Sequence, residues 1–475
     1  MFMMMKKVLE YIQRYPLLSI VLGSLLIRLL YLWLQYPLWW DSHVYIGIGK
    51  YIYSSGEIGM WESFRPLLHP LILGFFWKIG FNPIFIGKIL DVIYSLLIVF
   101  LTYKISDKIF NATTAIVSSL ILSLTSLFIM FTGLILSDLP AMVFGLLGIF
   151  LVIENDGKKW KLWVAGICLS LSLLTRFPQG IWFAALFVIL LLHKEEIATK
   201  IKKLSVFTLG FIPPIFPYLL FNYGRYGSAL EPFRAGSWIV TTATWVYENG
   251  VTYYFTDFFL SLPIFLFFFV YLYYFWKEKL WKVKGHLLLV LVCLLTIIYF
   301  LYVPRKEPRY LVTILPFLAI LVGFTVVKIY RQLQSKATPW IRPKAFVVIC
   351  MLMVVIPLPI ELNFERAPTF EQELLGAIKE NNVTGTILTS DPSLMSYVDL
   401  KVVTLDGIEF APIVYERQQE NYQLLFVNEC DFICAAGDEE CVNTRKELLQ
   451  LFTTENKEIF KKEEKGCMYR MWVPK

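Results

Sequence analysis

Residues 36–80 read YPLWWDSHVYIGIGKYIYSSGEIGMWESFRPLLHPLILGFFWKIG, a long and aromatic segment between two apolar runs. Over residues 42–54, apolar side chains recur at helical spacing beside polar ones, which predicts a helix lying in a membrane interface. The proline in Phe64-Arg65-Pro66 favours a break before a second short helix. The segment therefore predicts a structured first outer loop over residues 36–84, with interfacial helices, at the boundary of a membrane domain.

Outside this loop, the chain is dominated by apolar runs of the length that crosses a bilayer. Hydrophobic residues make up 57% of the 475 residues and charged residues 17%, a balance that excludes a multidomain soluble enzyme. We expect a polytopic α-helical membrane protein with a membrane domain over residues 1–361. The runs predict about eleven transmembrane helices, at approximately 17–35, 85–106, 112–134, 137–154, 161–175, 178–193, 204–222, 254–276, 285–303, 309–330 and 344–361.

The distribution of charge predicts the orientation of these helices. Placing the N-terminus in the cytoplasm puts most loop lysines and arginines on that side, as the positive-inside rule requires. An odd number of spans then puts the tail outside, and that tail carries 12 Lys and Arg against 21 Asp and Glu over residues 361–475. We expect an integral protein of the cell membrane, or of the ER membrane in a eukaryote. Basic loops beside apolar spans are topology signals, so nucleic-acid binding is not expected.

Residues 362–475 predict a small extracytoplasmic α/β domain. Helical and β-rich stretches alternate there as in a compact sheet covered by helices. The predicted helices are 369–381, 409–421 and 440–453, and the predicted strands are 386–390, 401–405, 456–460 and 467–473.

Four cysteines of the tail are candidates for disulfide bonds. They are Cys430, Cys434, Cys441 and Cys467. An even number of cysteines in a compartment that permits disulfides predicts two bridges, with three pairings open. The alternatives are reduced thiols or a zinc site, although the spacing lacks the paired CxxC pattern of zinc ribbons.

Two acids at the outer ends of predicted spans are candidate catalytic residues. Asp41 follows the first span, and Asp138 lies in Ser137-Asp138-Leu139-Pro140, between two spans with hardly any loop. Either acid could instead cap a helix. Because ionisable groups near the hydrocarbon are functional candidates by default, the pair indicates base or metal chemistry, with His43 and His69 as further possible metal ligands.

A tight outer turn, Val303-Pro304-Arg305-Lys306-Glu307-Pro308-Arg309-Tyr310, carries three cations where the positive-inside rule predicts few. Such a cluster beside lipid can bind a phosphate, because arginine bonds phosphate in a bidentate manner and lysine acts as a point charge. The alternative is a solvated turn in which Glu307 pairs with Arg309. Arg65 and Arg176, also at outer ends, would extend an anion site.

In their order along the chain, these motifs resemble the GT-C superfamily of membrane glycosyltransferases, most closely the protein O-mannosyltransferase and lipid A aminoarabinose transferase group. The similar stretches cover residues 20–330. They are WWDSHVYIGIGKYI with FRPLLHPLILGFFWKIG, LILSDLPAMVF, LSLSLLTRFPQGIW and KEPRYLVTILPFLAIL. One departure is that Ser42 and His43 follow Asp41 where the family often has a second acid, which weakens the case for a metal site or an acid pair.

The resemblance implies the GT-C fold and inverting transfer of a sugar, a hexose such as mannose, from a polyprenyl-phosphate carrier to an extracytoplasmic hydroxyl of a protein or glycolipid. Asp41 would be the base and Asp138 a second acid of the site. The residues around the donor phosphate and the acceptor would be Arg65, His69, Arg176, Lys306, Glu307, Arg309 and Tyr310. No cofactor is implied with certainty, and a divalent metal stays open.

The chemistry of such a donor fits this set of residues. Its leaving group is already an anionic phosphate that needs cations, whereas the acceptor hydroxyl needs a base. The competing class is a polytopic transporter or lipid flippase. Transporters commonly have internal repeats and ionisable groups near the midplane, whereas here the charges concentrate at one face.

Overall fold

The computed structural model describes residues 11, 13–34, 38–192, 195–242, 249–336, 341–362, 371–405, 407–435 and 437–475. Helices dominate the part that precedes residue 363. They are Pro16–Trp33, Trp40–Tyr53, Leu68–Lys78, Pro83–Ile109, Ala112–Leu124, Ser126–Met130, Asp138–Ile153, Lys159–Thr175, Gly180–Leu191, Ile197–Tyr226, Glu231–Thr242, Phe267–Lys277, Lys284–Tyr302, Leu315–Ser335, Pro343–Val355 and Pro357–Glu361. Short 3-10 or π-helical turns occupy Phe177–Gln179, Phe255–Leu260, Pro263–Leu266, Leu280–Lys282 and Pro308–Ile314.

The sequence sets several of these helix starts. Asn82 precedes Pro83–Ile109, and its side-chain oxygen accepts hydrogen bonds from the backbone N–H groups of Ile84 and Phe85. Asn111 caps Ala112–Leu124 in the same way. Such caps satisfy N–H groups that lack a partner within the helix.

Six described helices have the length and composition to cross a membrane. They are Pro16–Trp33, Pro83–Ile109, Ile197–Tyr226, Lys284–Tyr302, Pro308–Ser335 and Pro343–Ile360. The other predicted spans are helical too, but shorter or divided. Residues 112–134 form two helices and residues 254–276 begin with π and 3-10 turns. The helical architecture is confirmed, the number of crossings stays a prediction, and the predicted end of the first span at residue 35 lies outside the described residues.

The C-terminal domain contains a five-stranded sheet in the order β2-β1-β3-β5-β4. Strands β1 (Thr386–Thr389), β2 (Val402–Thr404) and β3 (Tyr422–Asn428) pair in parallel, and β4 (Asn456–Glu464) and β5 (Cys467–Pro474) add antiparallel pairs. Helices Glu371–Glu380, Ala411–Gln418 and Glu439–Glu455 accompany the sheet. The predicted small α/β domain is confirmed.

The central strand β3 is absent from the sequence-based prediction. Its residues, YQLLFVN, are buried on both faces of the sheet except at Gln423. A strand that is buried on both sides lacks the alternation that identifies a half-exposed strand. The boundary predicted between residues 361 and 362 adjoins residues 363–370, which lie outside the described residues.

Two disulfide bonds staple this domain, which confirms the predicted number. Cys430 pairs with Cys467, and Cys434 pairs with Cys441. The first bond ties the end of β3 to the start of β5, 37 residues later. All four sulfurs are consumed in these bonds, so the zinc alternative does not hold for them.

The helix Trp40–Tyr53 joins the membrane domain to the sheet. Val44 and Ile48 from this helix share one hydrophobic core with Ile387 of β1 and Phe426 of β3. Every residue from 42 to 50 is buried. The predicted helix is therefore present, and protein contacts cover its residues 42–50, while its depth in the membrane stays a prediction.

Backbone hydrogen bonds also attach this loop to the edge of the sheet. The N–H of Gly59 donates to Leu400 O at 2.9 Å, and the N–H of Val402 donates to Gly59 O at 2.9 Å. Lys50, which is 2% exposed, donates to Val398 O at 2.9 Å and pairs with Asp399 at 2.8 Å. The loop and the C-terminal domain consequently lie on the same side of the membrane helices.

Candidate active site

The candidate site is centred on Asp41, in the first turn of its helix. Arg65, just before the helix Leu68–Lys78, places Nη2 at 2.9 Å from Asp41 Oδ1. Arg309, in the turn Pro308–Ile314, places Nη2 at 2.7 Å from Asp41 Oδ2. Burial alone would raise the pKa of Asp41, but the two guanidinium groups outweigh it and hold that pKa well below its ordinary value.

Each of these arginines also faces a second acid. Arg65 Nε lies 2.6 Å from Glu62, and Arg309 Nε lies 3.9 Å from Glu307, whose closer partner is Arg305 at 2.7 Å. The alternative of a solvated turn closed by Glu307 and Arg309 therefore fails. Arg309 is 13% exposed and its short contact is to Asp41.

The second predicted acid, Asp138, contacts a different arginine from those that contact Asp41. It is fully buried, and its Oδ1 is 3.1 Å from Arg176 Nη1. The preceding residue, Ser137, shares a hydrogen bond of 2.9 Å with the hydroxyl of Tyr45. Both Asp41 and Asp138 lie inside the first turn of their helices and not at the N-cap position, which argues against a simple capping role.

A cavity of about 510 Å³ opens beside these groups. One end is basic, because Arg65, Arg176 and Arg309 all line it, and Tyr310 is close to them. The remaining wall is largely apolar. It includes Phe177, Ile181, Phe233, Val240 and Phe300. This combination suits an anionic head group attached to an apolar chain.

A second cavity of about 300 Å³ lies on the other side of Arg309. Its lining combines aromatic, acidic and amide side chains: Trp39, Asn249, Tyr253, Asp257, Lys306 and Glu307. Lys306 is nearly buried, and its ammonium group donates to Val303 O at 3.1 Å and to Pro304 O at 3.4 Å. Lys306 therefore closes its own turn, and Arg309 is the cation that borders both cavities.

The two histidines suggested as metal ligands make hydrogen bonds to other groups of the protein. His43 Nδ1 lies 2.7 Å from Ser396 Oγ of the C-terminal domain, and His69 Nε2 lies 3.2 Å from Ile135 O. Burial lowers the pKa of each to about 4, so both are neutral at physiological pH. No group of three or more His, Cys, Asp or Glu side chains converges within the described residues. The four suggested ligands thus do not fit a metal site, and His69 lines neither cavity.

One buried acid lies outside the set of residues predicted from the sequence. Asp91 lies in the middle of Pro83–Ile109, and its Oδ2 accepts hydrogen bonds from the backbone N–H groups of Gly133 at 3.1 Å and Ile135 at 2.7 Å. The signal was available, since an acid inside an apolar span is a functional candidate by default. Tyr45, which the sequence did not single out as a site residue, lines the larger cavity.

Solved structures of other proteins share this architecture. ArnT from Cupriavidus metallidurans bound to undecaprenyl phosphate superimposes with a TM-score of 0.63 at 12% identity, covering 96% of this chain and 97% of that chain. The chain has the GT-C fold. The archaeal oligosaccharyltransferase AglB from Archaeoglobus fulgidus, in complex with an inhibitory peptide and a dolichol-phosphate, gives 0.58 at 10% identity, over 97% of this chain and 74% of that chain.

A third structure extends the likeness within the GT-C fold. Arabinofuranosyltransferase AftD from Mycobacteria gives a TM-score of 0.58 at 10% identity, over 97% of this chain and 40% of that chain. Among protein families, dolichyl-phosphate-mannose-protein mannosyltransferase matches residues 64–221. No curated protein matches the chain by sequence. The predicted resemblance to the GT-C superfamily is confirmed at the level of the fold.

Proposed function

We propose that this chain is an integral-membrane glycosyltransferase that moves a sugar from a polyprenyl-phosphate carrier to an extracytoplasmic acceptor hydroxyl, with inversion at the anomeric carbon. The observation that carries the proposal is the contact of Asp41 with Arg65 and Arg309, two arginines that line an otherwise largely apolar cavity. A hexose such as mannose is the favoured sugar, in keeping with the family match over residues 64–221. The acceptor is a protein or a glycolipid.

In this proposal the larger cavity takes the donor. The phosphate binds among Arg65, Arg176 and Arg309, whose planar forks suit bidentate contact with its oxygens. The prenyl chain lies along the apolar wall near Phe177 and Phe233. The solved GT-C structures with undecaprenyl phosphate and dolichol-phosphate support this assignment by analogy.

Binding of the donor would convert Asp41 into a better base. Without donor, both carboxylate oxygens accept from arginines, which makes the group a weak proton acceptor. A phosphate competes for the same N–H groups of Arg65 and Arg309, and each contact it takes raises the basicity of Asp41. The site would therefore become reactive only when the donor is present.

The chemical step needs few groups. The acceptor oxygen attacks the anomeric carbon and forms the new C–O bond while the bond from that carbon to the phosphate oxygen breaks. The hydroxyl proton passes to Asp41, and the bonding electrons leave with the phosphate, whose charge the arginines stabilise. The acceptor would enter through the smaller cavity, because Arg309 borders both spaces.

Asp138 would act through Arg176 in this scheme. It is fully buried and contacts that guanidinium, which lines the donor cavity. Its role would be to orient Arg176 toward the donor phosphate. Asp41 would remain the base that takes the proton of the acceptor hydroxyl. Asp138→Asn should then weaken donor binding, raising the KM for the donor more than it lowers kcat.

The experiment that tests this function uses the purified chain in lipid vesicles. A panel of labelled polyprenyl-phosphate sugars is offered with peptide and glycolipid acceptors, and labelled product is separated from donor. Transfer from at least one donor, with the matched Asp41→Asn protein nearly inactive, is expected. If no label moves to any acceptor while labelled lipid crosses the bilayer, the flippase reading replaces this one.

A further inference from the structure

The turn that leads into Asp138 has an unusual backbone. Between the helices Ser126–Met130 and Asp138–Ile153, Gly133 has φ +109° and Ile135 has φ +56°. Glycine adopts such angles readily, whereas the left-handed conformation costs an L-residue about 1–2 kcal/mol, and a β-branched one is a genuine outlier. Ile135 is fully buried. Contacts around the turn must hold it in this conformation.

Asp91 supplies the central contact. A single carboxylate oxygen, Oδ2, accepts from the N–H groups on both sides of Leu134, those of Gly133 and Ile135. Asp91 is fully buried, and its other oxygen, Oδ1, has no hydrogen-bond partner among the described residues. The carboxylate therefore clamps the turn through one oxygen.

Two residues of the first loop also donate hydrogen bonds to backbone carbonyl groups of the same turn. His69 Nε2 donates to Ile135 O at 3.2 Å, and Ser42 Oγ donates to Leu134 O. Ser42 is the neighbour of Asp41. The turn is thus a junction between the helix that carries Asp91 and the helix that carries the proposed base.

We propose that Asp91 is a positioning residue, whose Oδ2 holds the turn in the left-handed geometry that presents Ser137 to Tyr45 and Asp138 to Arg176. The inference rests on the proposed function, because Tyr45 and Arg176 line the proposed donor cavity. Asp91 itself is not among the residues that line that cavity. Its effect on transfer must pass through the turn.

The size of the effect follows from the geometry of the site. Releasing two N–H groups lets Ile135 relax toward ordinary φ values, which moves Ser137 and Asp138, two and three residues further on. A displacement of about 1 Å far from the chemistry can cost about 10²-fold in rate. An asparagine in place of Asp91 has an oxygen that can accept both bonds, whereas leucine has none.

The first test measures kcat and KM of Asp91→Asn and Asp91→Leu with the donor that the wild-type protein uses. We expect kcat/KM within a few-fold of wild type for the asparagine variant and a loss of about 10²-fold for the leucine variant, chiefly through a higher KM for the donor. In an Asp138→Asn background, the leucine change should cost little more, because both act on Arg176. Equal losses in the two Asp91 variants would overturn the proposal that the two hydrogen bonds to Asp91 Oδ2 are what matters. Full additivity with Asp138→Asn would exclude an effect that passes through Asp138 and Arg176.

A second test needs no activity. Thermal unfolding is measured for Asp91→Ala, Ile135→Gly and the double variant, because glycine at position 135 removes the penalty that the clamp offsets. We expect Asp91→Ala to lower Tm less in the Ile135→Gly background than in wild type. If Asp91→Ala lowers Tm equally in both backgrounds, the proposal that Asp91 holds Ile135 in its left-handed conformation is overturned. If wild type transfers no sugar, the proposed function fails, while this cycle still decides the role of Asp91.

Discussion

Replacing Arg309 by lysine tests whether the site needs a guanidinium group that contacts two groups at once or only a positive charge. Arg309 lies 2.7 Å from Asp41 and borders both cavities, so its planar fork can contact the carboxylate and a phosphate at once. An ammonium group keeps the charge but loses that fork. A hydrogen bond to a charged group contributes about 1.5–3 kcal/mol. Losing one such bond in the transition state lowers the rate roughly 10- to 150-fold.

The assay for Arg309→Lys measures initial rates of sugar transfer over a range of donor concentrations. The matched control is Arg305→Lys in the same turn, since Arg305 pairs with Glu307 and lines neither cavity. We expect a large decrease in kcat/KM for Arg309→Lys and at most a few-fold change for Arg305→Lys. Wild-type kinetics in Arg309→Lys, or equal losses in both variants, would refute the bridging role.

Three further results follow from the same structure. A Cβ at Gly49 would lie 2.6 Å from Pro70 O and 2.8 Å from Gly74 N, so Gly49→Ala should destabilise by about 1–3 kcal/mol. Gly23→Ala, inside the helix Pro16–Trp33 with nothing within 4 Å, should be neutral or slightly stabilising in the same thermal unfolding assay, because alanine favours the helix. Burial, reinforced by a neighbouring carboxylate, raises the pKa of Asp431 to about 9, so the folded state binds the extra proton and stability falls as pH rises from about 4 to 9. Asp431→Asn should reduce that slope, and an unchanged slope would exclude this group as a source of it. Protease outside sealed cells should release the C-terminal domain, and a domain cleaved only in inverted vesicles would reverse the orientation.

The sequence predicted those parts of the site that carry a local signal. Asp41 stood out at the end of an apolar span, and Arg309 stood out as an outer cation that the positive-inside rule does not explain. Their mutual contact could not be predicted, because 268 residues separate them and the fold alone brings them together.

The misses have physical causes as well. Asp91 was hidden in a long apolar run, although its polar carboxyl group requires a hydrogen-bond partner when buried, which the backbone of a distant turn supplies. The helix Trp40–Tyr53 looked amphipathic because its polar residues bond to protein. Lys50, for example, is satisfied by Val398 and Asp399 of the C-terminal domain. Polarity along a helix indicates hydrogen-bond partners and does not distinguish water from a second domain.

The most direct test of the account is sugar transfer by Asp41→Asn, measured together with donor binding. A general base is worth about 10²–10⁴ in rate, so we expect kcat to fall at least 100-fold. Because the carboxylate competes with the donor phosphate for Arg65 and Arg309, its loss should leave donor affinity unchanged or tighter. Turnover within a few-fold of wild type, or a loss explained by weaker donor binding, would contradict the assignment of Asp41 as the base.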